Sequence, residues 1–441
     1  MMAGRVNKVA DVFGVSRDLP LNYVERAAVD SLFLSNLALE KHVIVYGSSK
    51  QGKTCLRKHC LSEDDTVLVQ CQNSWGLEKL AEAILKEVGY KVTVSEEKTI
   101  EKRNKLRVSL SSSLSALGFG EAKAEAEASH ESGSANKKLF QPLEIDPADP
   151  NDLVSALNKI NFHKFIVLED FHYLPFETQE QYAGFLKAIH EKSKISFIIV
   201  AVWREENRLI LLNGDLTGRV VSVDADEWTS EELGKAISNG EDLLNVKVPD
   251  VFKDELISRS LGSIFIVQEC CRRLCGDNGL VETSDRCFAL QMKQSVEEYI
   301  RNVVAESGPR YTAFLTAFAS GFQSTTLEMY RWLLYPVLTS SVEDLEKGLK
   351  YKHIREILDD VHPNGVARSG NSLNPGNVTQ ALLSVSALQA SKKIKPFILD
   401  YDRVNKVLSV VERGFLIWLA DQNIPDLLSE LQIMPPTRLE A

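Results

Sequence analysis

Two short stretches carry residues whose type and spacing could do chemistry on a phosphate chain. The first is "HVIVYGSSKQGKTCLRK", His42 to Lys58. Within it Gly47, Ser48, Ser49, Lys50, Gln51, Gly52, Lys53 and Thr54 fit the spacing G-x-x-x-x-G-K-[S/T]. The two glycines let the backbone curl so that successive amides point at phosphate oxygens. A helix starting at the end of the loop, through Thr54 and Cys55, adds its free N-terminal amides and the positive end of its dipole. Lys53 would reach the outer phosphates and the Thr54 hydroxyl would ligate Mg²⁺. The second stretch is "FIVLED", where Glu169 and Asp170 close an apolar run. One carboxylate would hold the metal, and the other would activate or position water. Register favours Glu169 for the metal and Asp170 for the water, and the Glu-Asp order leaves the two roles open. An acidic helix start without catalytic duty is the competing reading.

Further candidates are basic. Arg204 follows a strand end, where a side chain could sense the outermost phosphate. Arg219, in "NGDLTGRV", could spread transition-state charge on a neighbouring subunit's nucleotide. For each, a structural salt bridge competes. Arg26, in "NYVER", could sit at the lip of the nucleotide site.

These residues need a scaffold. Val43–Tyr46, Thr66–Gln72, Phe165–Leu168 and Ile195–Val202 read as buried strands, with "RVVSVDADEW" as another, and helical patterns lie between them. That alternation predicts an α/β fold: a parallel sheet with helices on both faces. Residues 1–40 lead in and 41–226 form the core. Within the core, 92–148 break the pattern. Val108, Leu110, Leu114 and Ala116 alternate on one arm and Ala122, Ala124, Ala126 and Ala128 on another, around Gly118-Phe119-Gly120. This reads as a β-hairpin, with a disordered insert or an Ala/Glu/Lys helix as alternatives. Residues 227–308 turn helical, opening on a Thr229/Glu232 capping box, with helices near 250–260, 263–275 and 285–306. "ESGPR" marks a boundary. Residues 309–425 carry helices at 311–320, 325–338, 343–360 and 378–390, then a hairpin of "PFILDY" and "KVLSVV" and a closing helix, the winged-helix arrangement. Residues 426–441 form a tail.

Composition sets outer bounds. A charged fraction of 25% and a hydrophobic fraction of 44% are those of an ordinary globular protein. No apolar run approaches a membrane span, and "MMAGRVNKVADVFG" lacks a signal peptide's apolar core. The 7 cysteines are scattered, as expected in a reducing cytoplasm. A net charge of −10 excludes a protein that coats nucleic acid over its whole surface, though not a local basic face.

Taken together, "YVER", "VIVYGSSKQGKTCLRK", "FIVLEDFHYL" and "VAVWREENRL", followed by a helical lid and a winged helix, resemble the AAA+/STAND division of P-loop ATPases, of origin-recognition and transposition type. The resemblance spans roughly residues 20–425. It implies ATP with Mg²⁺, a lid over the nucleotide, homo-oligomeric assembly, and a winged helix that binds DNA or latches the molecule. "SLGSIFIVQECC" has Ile264 and Phe265 where many such lids carry an arginine, which points to a slow switch rather than a motor. Such switches serve bacterial signalling or anti-phage defence, here with a separate effector protein. The other expectation is a DNA-binding ATPase of initiator type. Its basic candidates are Lys392, Lys393, Lys395, Arg403 and Lys406 around the hairpin, and Lys347, Lys350, Lys352 and Arg355 before it. In the uncharged recognition helix, only Asn377, Gln380 and Gln389 could read bases.

Overall fold

The computed structural model describes residues 6–14, 18–94, 106–110, 143–226, 228–365 and 373–435. Its strands, in chain order, are β1 (His42–Tyr46), β2 (Thr66–Gln70), β3 (Tyr90–Val94), β4 (Leu106–Leu110), β5 (Leu143–Ile145), β6 (Phe165–Glu169), β7 (Phe197–Val200), β8 (Val220–Asp224), β9 (Val246–Lys247), β10 (Phe288–Ala289), β11 (Leu349–Lys350), β12 (Leu399–Asp402) and β13 (Val407–Val410).

The apolar runs become a five-stranded sheet in the order β2-β6-β7-β1-β8, every pairing parallel. The three inner runs, β1, β6 and β7, are mostly apolar because both of their faces are covered. Ile44, Ile166, Leu168, Phe197 and Ile199 point to the side packed by helices Leu77–Glu87, Pro150–Lys159 and Phe176–Lys192. Val43, Val45, Val167, Ile198 and Val200 point the other way, onto helices Ala27–Ala38 and Lys53–Cys60. The period of two assigns alternate residues to the two layers. With the loop Gly47–Gly52 leaving the carboxyl end of a strand inside the sheet, this is the P-loop α/β fold.

The expected hairpin in 92–148 meets a different partner arrangement. Val108 and Leu110 do lie on a strand, but β4 is the middle of a three-stranded antiparallel sheet, with Val108 opposite Val92 on β3 and Leu143 on β5. The turn at 118–120 and the arm at 122–128 lie outside the described residues.

Beyond the sheet the chain is mostly helical. The Thr229 capping box forms, with Glu232 reaching back to the Thr229 amide. Helices Asp250–Arg259 and Ile264–Asp277 follow as expected. The expected helix 285–306 is only half helix. It begins at Val296 behind a Ser295/Glu298 capping box, and Phe288–Ala289 pairs with Val246–Lys247 instead.

The C-terminal segment runs Gly308–Ala319, Met329–Thr339, Val342–Lys347, β11, Tyr351–Val361, Pro375–Leu383, Val385–Ser391, β12, β13, Arg413–Ala420 and Ile424–Glu430. The hairpin and its closing helix sit where the sequence put them. The expected helix 343–360 is cut at Gly348, whose φ of 84° is a left-handed conformation. A Cβ there would lie 2.5 Å from Val407 Cγ1, so the position has no room for a side chain. The cut frees Leu349–Lys350 to pair with β13 as a third strand. The expected helix 378–390 is likewise two helices, meeting at Ser384. One apolar cluster joins Val9, Val12 and Phe13, the helices after 230 and the C-terminal segment.

Candidate functional site

The phosphate loop is built as its spacing predicts. Gly47 and Gly52 have φ of 134° and 86°, conformations that side chains resist, and helix Lys53–Cys60 starts directly after Gly52. The loop curls around the Lys53 ammonium, which donates to the carbonyls of Gly47 (2.9 Å) and Ser48 (2.5 Å). Lys53 is buried and, among the described residues, has no carboxylate within ion-pair distance. Burial lowers its pKa, with Asp226 and Glu169 opposing. A buried ammonium satisfied only by carbonyls is chemically matched to an incoming phosphate.

Beside the loop lies a cavity of about 360 Å³. Lys50, Gln51, Gly52, Lys53, Thr54 and Cys55 line it, and so does Arg26. Arg26 is buried, donates to the Ala225 carbonyl at 3.0 Å and lies 4.2 Å over the Trp228 ring. Phe265, from the start of helix Ile264–Asp277, closes another side, with the Lys50 ammonium 3.9 Å from its ring centroid. Phe265, which stands where the resemblance led one to look for an arginine, presents an aromatic wall. Asn22 and Gln268, paired through reciprocal amide bonds of 3.0 and 2.9 Å, also face this cavity.

Gly47, Ser48 and Ser49 are placed differently from the other loop candidates. Ser48 donates from both its amide and its hydroxyl to Asp226 Oδ2 at 2.8 Å. The Ser49 amide donates to the Val411 carbonyl at 2.9 Å, a bond from the loop to the residue just after β13. Arg413 reaches Asp226 at 3.9 Å and donates to the Leu261 carbonyl. The first half of the loop is thus held by Asp226 and the C-terminal segment, and only the second half opens to the cavity.

The acidic pair ends β6, two strands away from β1. Glu169 is buried and accepts from Arg57 Nε at 3.1 Å, a pairing that ties it to the phosphate-loop helix. Asp170, at φ 55°, accepts from Gln70 Nε2 at 2.5 Å. Burial raises both carboxyl pKa values. Arg57 is the chief opposing influence on Glu169, and Lys395 followed by Lys53 on Asp170.

The arginine candidates separate. Arg204 lines a second cavity of about 450 Å³ with Tyr46, Asp226 and Arg413, and Trp228 lines both cavities. Arg219 sits at the opposite end of the sheet, before β8, paired with Glu191 at 2.9 Å. It lies away from its own chain's loop. Sequence reasoning missed Arg57, Gln70, Asp226, Trp228 and Arg413. Gln70 ends the strand that pairs residue for residue with β6, opposite Glu169, a register that the sequence does not show.

No family profile matches this sequence, and no curated protein matches it. Among solved structures, the chain is similar to a Walker-type ATPase of Pyrococcus abyssi, at 13% identity and a TM-score of 0.46, over 93% of this chain and 99% of that one. It is similar to the Orc1 protein of Aeropyrum pernix, solved in complex with DNA, at 12% identity and a TM-score of 0.43, over 97% of each chain. It is also similar to Cdc6p from Pyrobaculum aerophilum, at 10% identity and a TM-score of 0.36, over 96% of this chain and 99% of that one. The fold assignment stands on strand order and loop geometry. Among the described residues, no helix is long and apolar enough to cross a membrane.

Proposed function

We propose that this chain is an ATP-binding, slowly hydrolysing switch whose C-terminal segment responds to the nucleotide. The observation that carries the reading is the Ser49–Val411 hydrogen bond, which joins the phosphate loop to the segment beyond β13. A change at the loop is felt there directly, through Asp226 and Arg413 as well.

Lys50 to Cys55 hold the phosphates, and Trp228, Arg26 and Phe265 enclose the remainder of the nucleotide. Thr54 and Glu169, with Asp170 beside it, would hold Mg²⁺, which screens phosphate charge when bound. Asp170 would orient water. Its bond from Gln70 takes one acceptor site on Oδ2 and supports a slow turnover. Arg204 would sense the terminal phosphate, and Arg219 would serve a neighbouring subunit in a homo-oligomer. A separate effector protein, and a place in signalling or anti-phage defence in the cytoplasm, belong to this reading through the family resemblance.

The initiator-like reading, with DNA as partner, needs a basic face, and the structure spends much of that charge elsewhere. Lys395 lies over Tyr173 and Arg403 over Phe176, both turned onto the core. Lys347, Lys352 and Arg355 pair with Glu343, Glu356 and Asp359. Gln389 is buried, bonded to the backbone of Ile398 and Leu399.

ATP turnover with and without duplex DNA, against Lys53→Ala as blank, separates the readings. Slow turnover indifferent to DNA is expected. Stimulation by DNA would overturn the switch in favour of the initiator-like ATPase.

A further inference from the structure

The apolar clusters on the two faces of the five-stranded sheet contain no residue of the C-terminal segment. The two parts meet through a small cluster of their own, Tyr173 and Val202 against Phe397 and Val411. The same stretches of chain bring charges to this seam. Arg208 Nη1 donates to Asp400 Oδ2, on β12, at 2.5 Å and to Glu205 Oε2 at 3.3 Å. One guanidinium nitrogen thus serves two carboxylates, one from the core and one from the C-terminal segment. The three side chains are at most 14% exposed, so water does little to screen them. Asp402, also on β12 and buried, adds a third carboxylate. Asp400 and Asp402 are well supported. Asp400 Oδ1 accepts from Ser386 at 3.1 Å, and Asp402 Oδ1 accepts from the amides of Val404 and Asn405. Glu205 is not: its Oε1 is buried without a hydrogen-bond partner. Two further groups lie close by. Arg403 is turned onto the Phe176 ring at 3.6 Å and donates to the Leu383 carbonyl. Burial lowers the His172 pKa well below its ordinary value, so that ring adds no positive charge.

Two carboxylates on one buried cation are costly to keep ionised together, and a proton settles on the one whose charge has least support. Here that is Glu205. Burial and then Asp400 raise its pKa above the ordinary carboxylate range, with Arg208 opposing and Asp402 adding to the rise. We propose that the seam between the sheet and the C-terminal segment is a proton-operated latch, held while Glu205 and Asp400 share one proton and loosened when that proton leaves to solvent. The sign follows from linkage. In an open seam Glu205 meets water and behaves as an ordinary carboxylic acid, so the closed seam binds the proton more tightly. Closure is therefore favoured at low pH, and the advantage is lost as pH rises through the raised pKa. Glu205 follows Arg204, and β12 pairs with β13, which ends one residue before Val411. Loosening β12 withdraws the segment that bonds the phosphate loop.

The test is hydrogen exchange on the full chain without nucleotide, corrected for the intrinsic pH dependence and compared between about pH 5 and about pH 8. Protection of β12 and of helix Val385–Ser391 should fall about 10-fold or more at the higher pH, the change linked to one pKa unit or more, while β6 stays unchanged. Glu205→Gln keeps the shape of the protonated form and has no proton to lose, so its seam should stay protected at both pH values. Asp400→Asn leaves Glu205 as the remaining carboxylate on Arg208, so its step should move to lower pH. That arm decides the matter if Glu205→Gln fails to fold. Four results would overturn the latch: equal protection of the parent at both pH values, an undiminished step in Glu205→Gln, a step that does not move in Asp400→Asn, or an equal fall at β6. No arm uses ATP, so the outcome is independent of the ATPase reading.

Discussion

The two ends of the nucleotide site are prepared to different degrees. At the phosphate end the backbone is already shaped, and Lys53 waits with only carbonyls for partners. At the acidic end both carboxylates are engaged, Glu169 by Arg57 and Asp170 by Gln70. One end is organised to bind, and the other must be released before it can act. If the proposed roles hold, the contrast teaches that affinity and turnover answer to residues on different strands.

The comparison can be broken most severely at Asp170. Asp170→Asn should lower turnover by about 100-fold or more, the usual contribution of a positioned base, while ATP affinity stays near that of the parent. Steady-state turnover and filter binding check this together, and a parallel loss of affinity would join the two ends into one device. Lys53→Ala should weaken ATP binding by roughly 10- to 100-fold, because charge-assisted contacts to phosphate are lost from a buried site. Equilibrium binding of a fluorescent ATP analogue reads this directly.

Gln70→Ala sharpens the contrast, since it frees Asp170 without touching the loop. Turnover should rise about threefold to tenfold with unchanged affinity, corresponding to one solvent-exposed hydrogen bond of about 0.6–1.4 kcal/mol. A fall in turnover would show that Gln70 aligns Asp170 rather than detaining it. The acid limb of kcat/KM should also lie at higher pH than an ordinary carboxylate gives. Burial raises the Asp170 pKa, so the active, ionised form is lost earlier as pH falls. Freed from Gln70, which favours the charged form, Asp170 should titrate higher still and move the limb upward. The smallest effect belongs to Arg413→Ala, which loosens the C-terminal segment. Hydrogen exchange at the Ser49 amide should quicken, and ATP affinity should change by less than about threefold.

Much of this was legible in the sequence, for local reasons. The loop spacing sets its own geometry, and the apolar runs of β1, β6 and β7 could only be strands covered on both sides. Arg26, expected at the lip of the site, lines the cavity beside the phosphate loop. What escaped was long-range. Asp226, Gln70 and Arg57 act through tertiary register, which leaves no spacing signal. The break at Gly348 was announced by its glycine within a helical pattern. The break at Ser384 has no glycine or proline to announce it, and helix periodicity continues across it. The polar stretch before Val296 was absorbed into a helix because the Ser295 cap lay inside the pattern rather than at its expected start.

The bond between Ser49 and Val411 also sets a schedule. A ribosome adds about 5–20 residues per second, so on the order of tens of seconds separate the emergence of the phosphate loop from that of its partner. During that interval the sheet can form, but the loop amide faces water and Asp226 lacks Arg413. The nascent chain thus presents its phosphate loop before Val411 and Arg413, the residues that tie the loop to the C-terminal segment, have emerged.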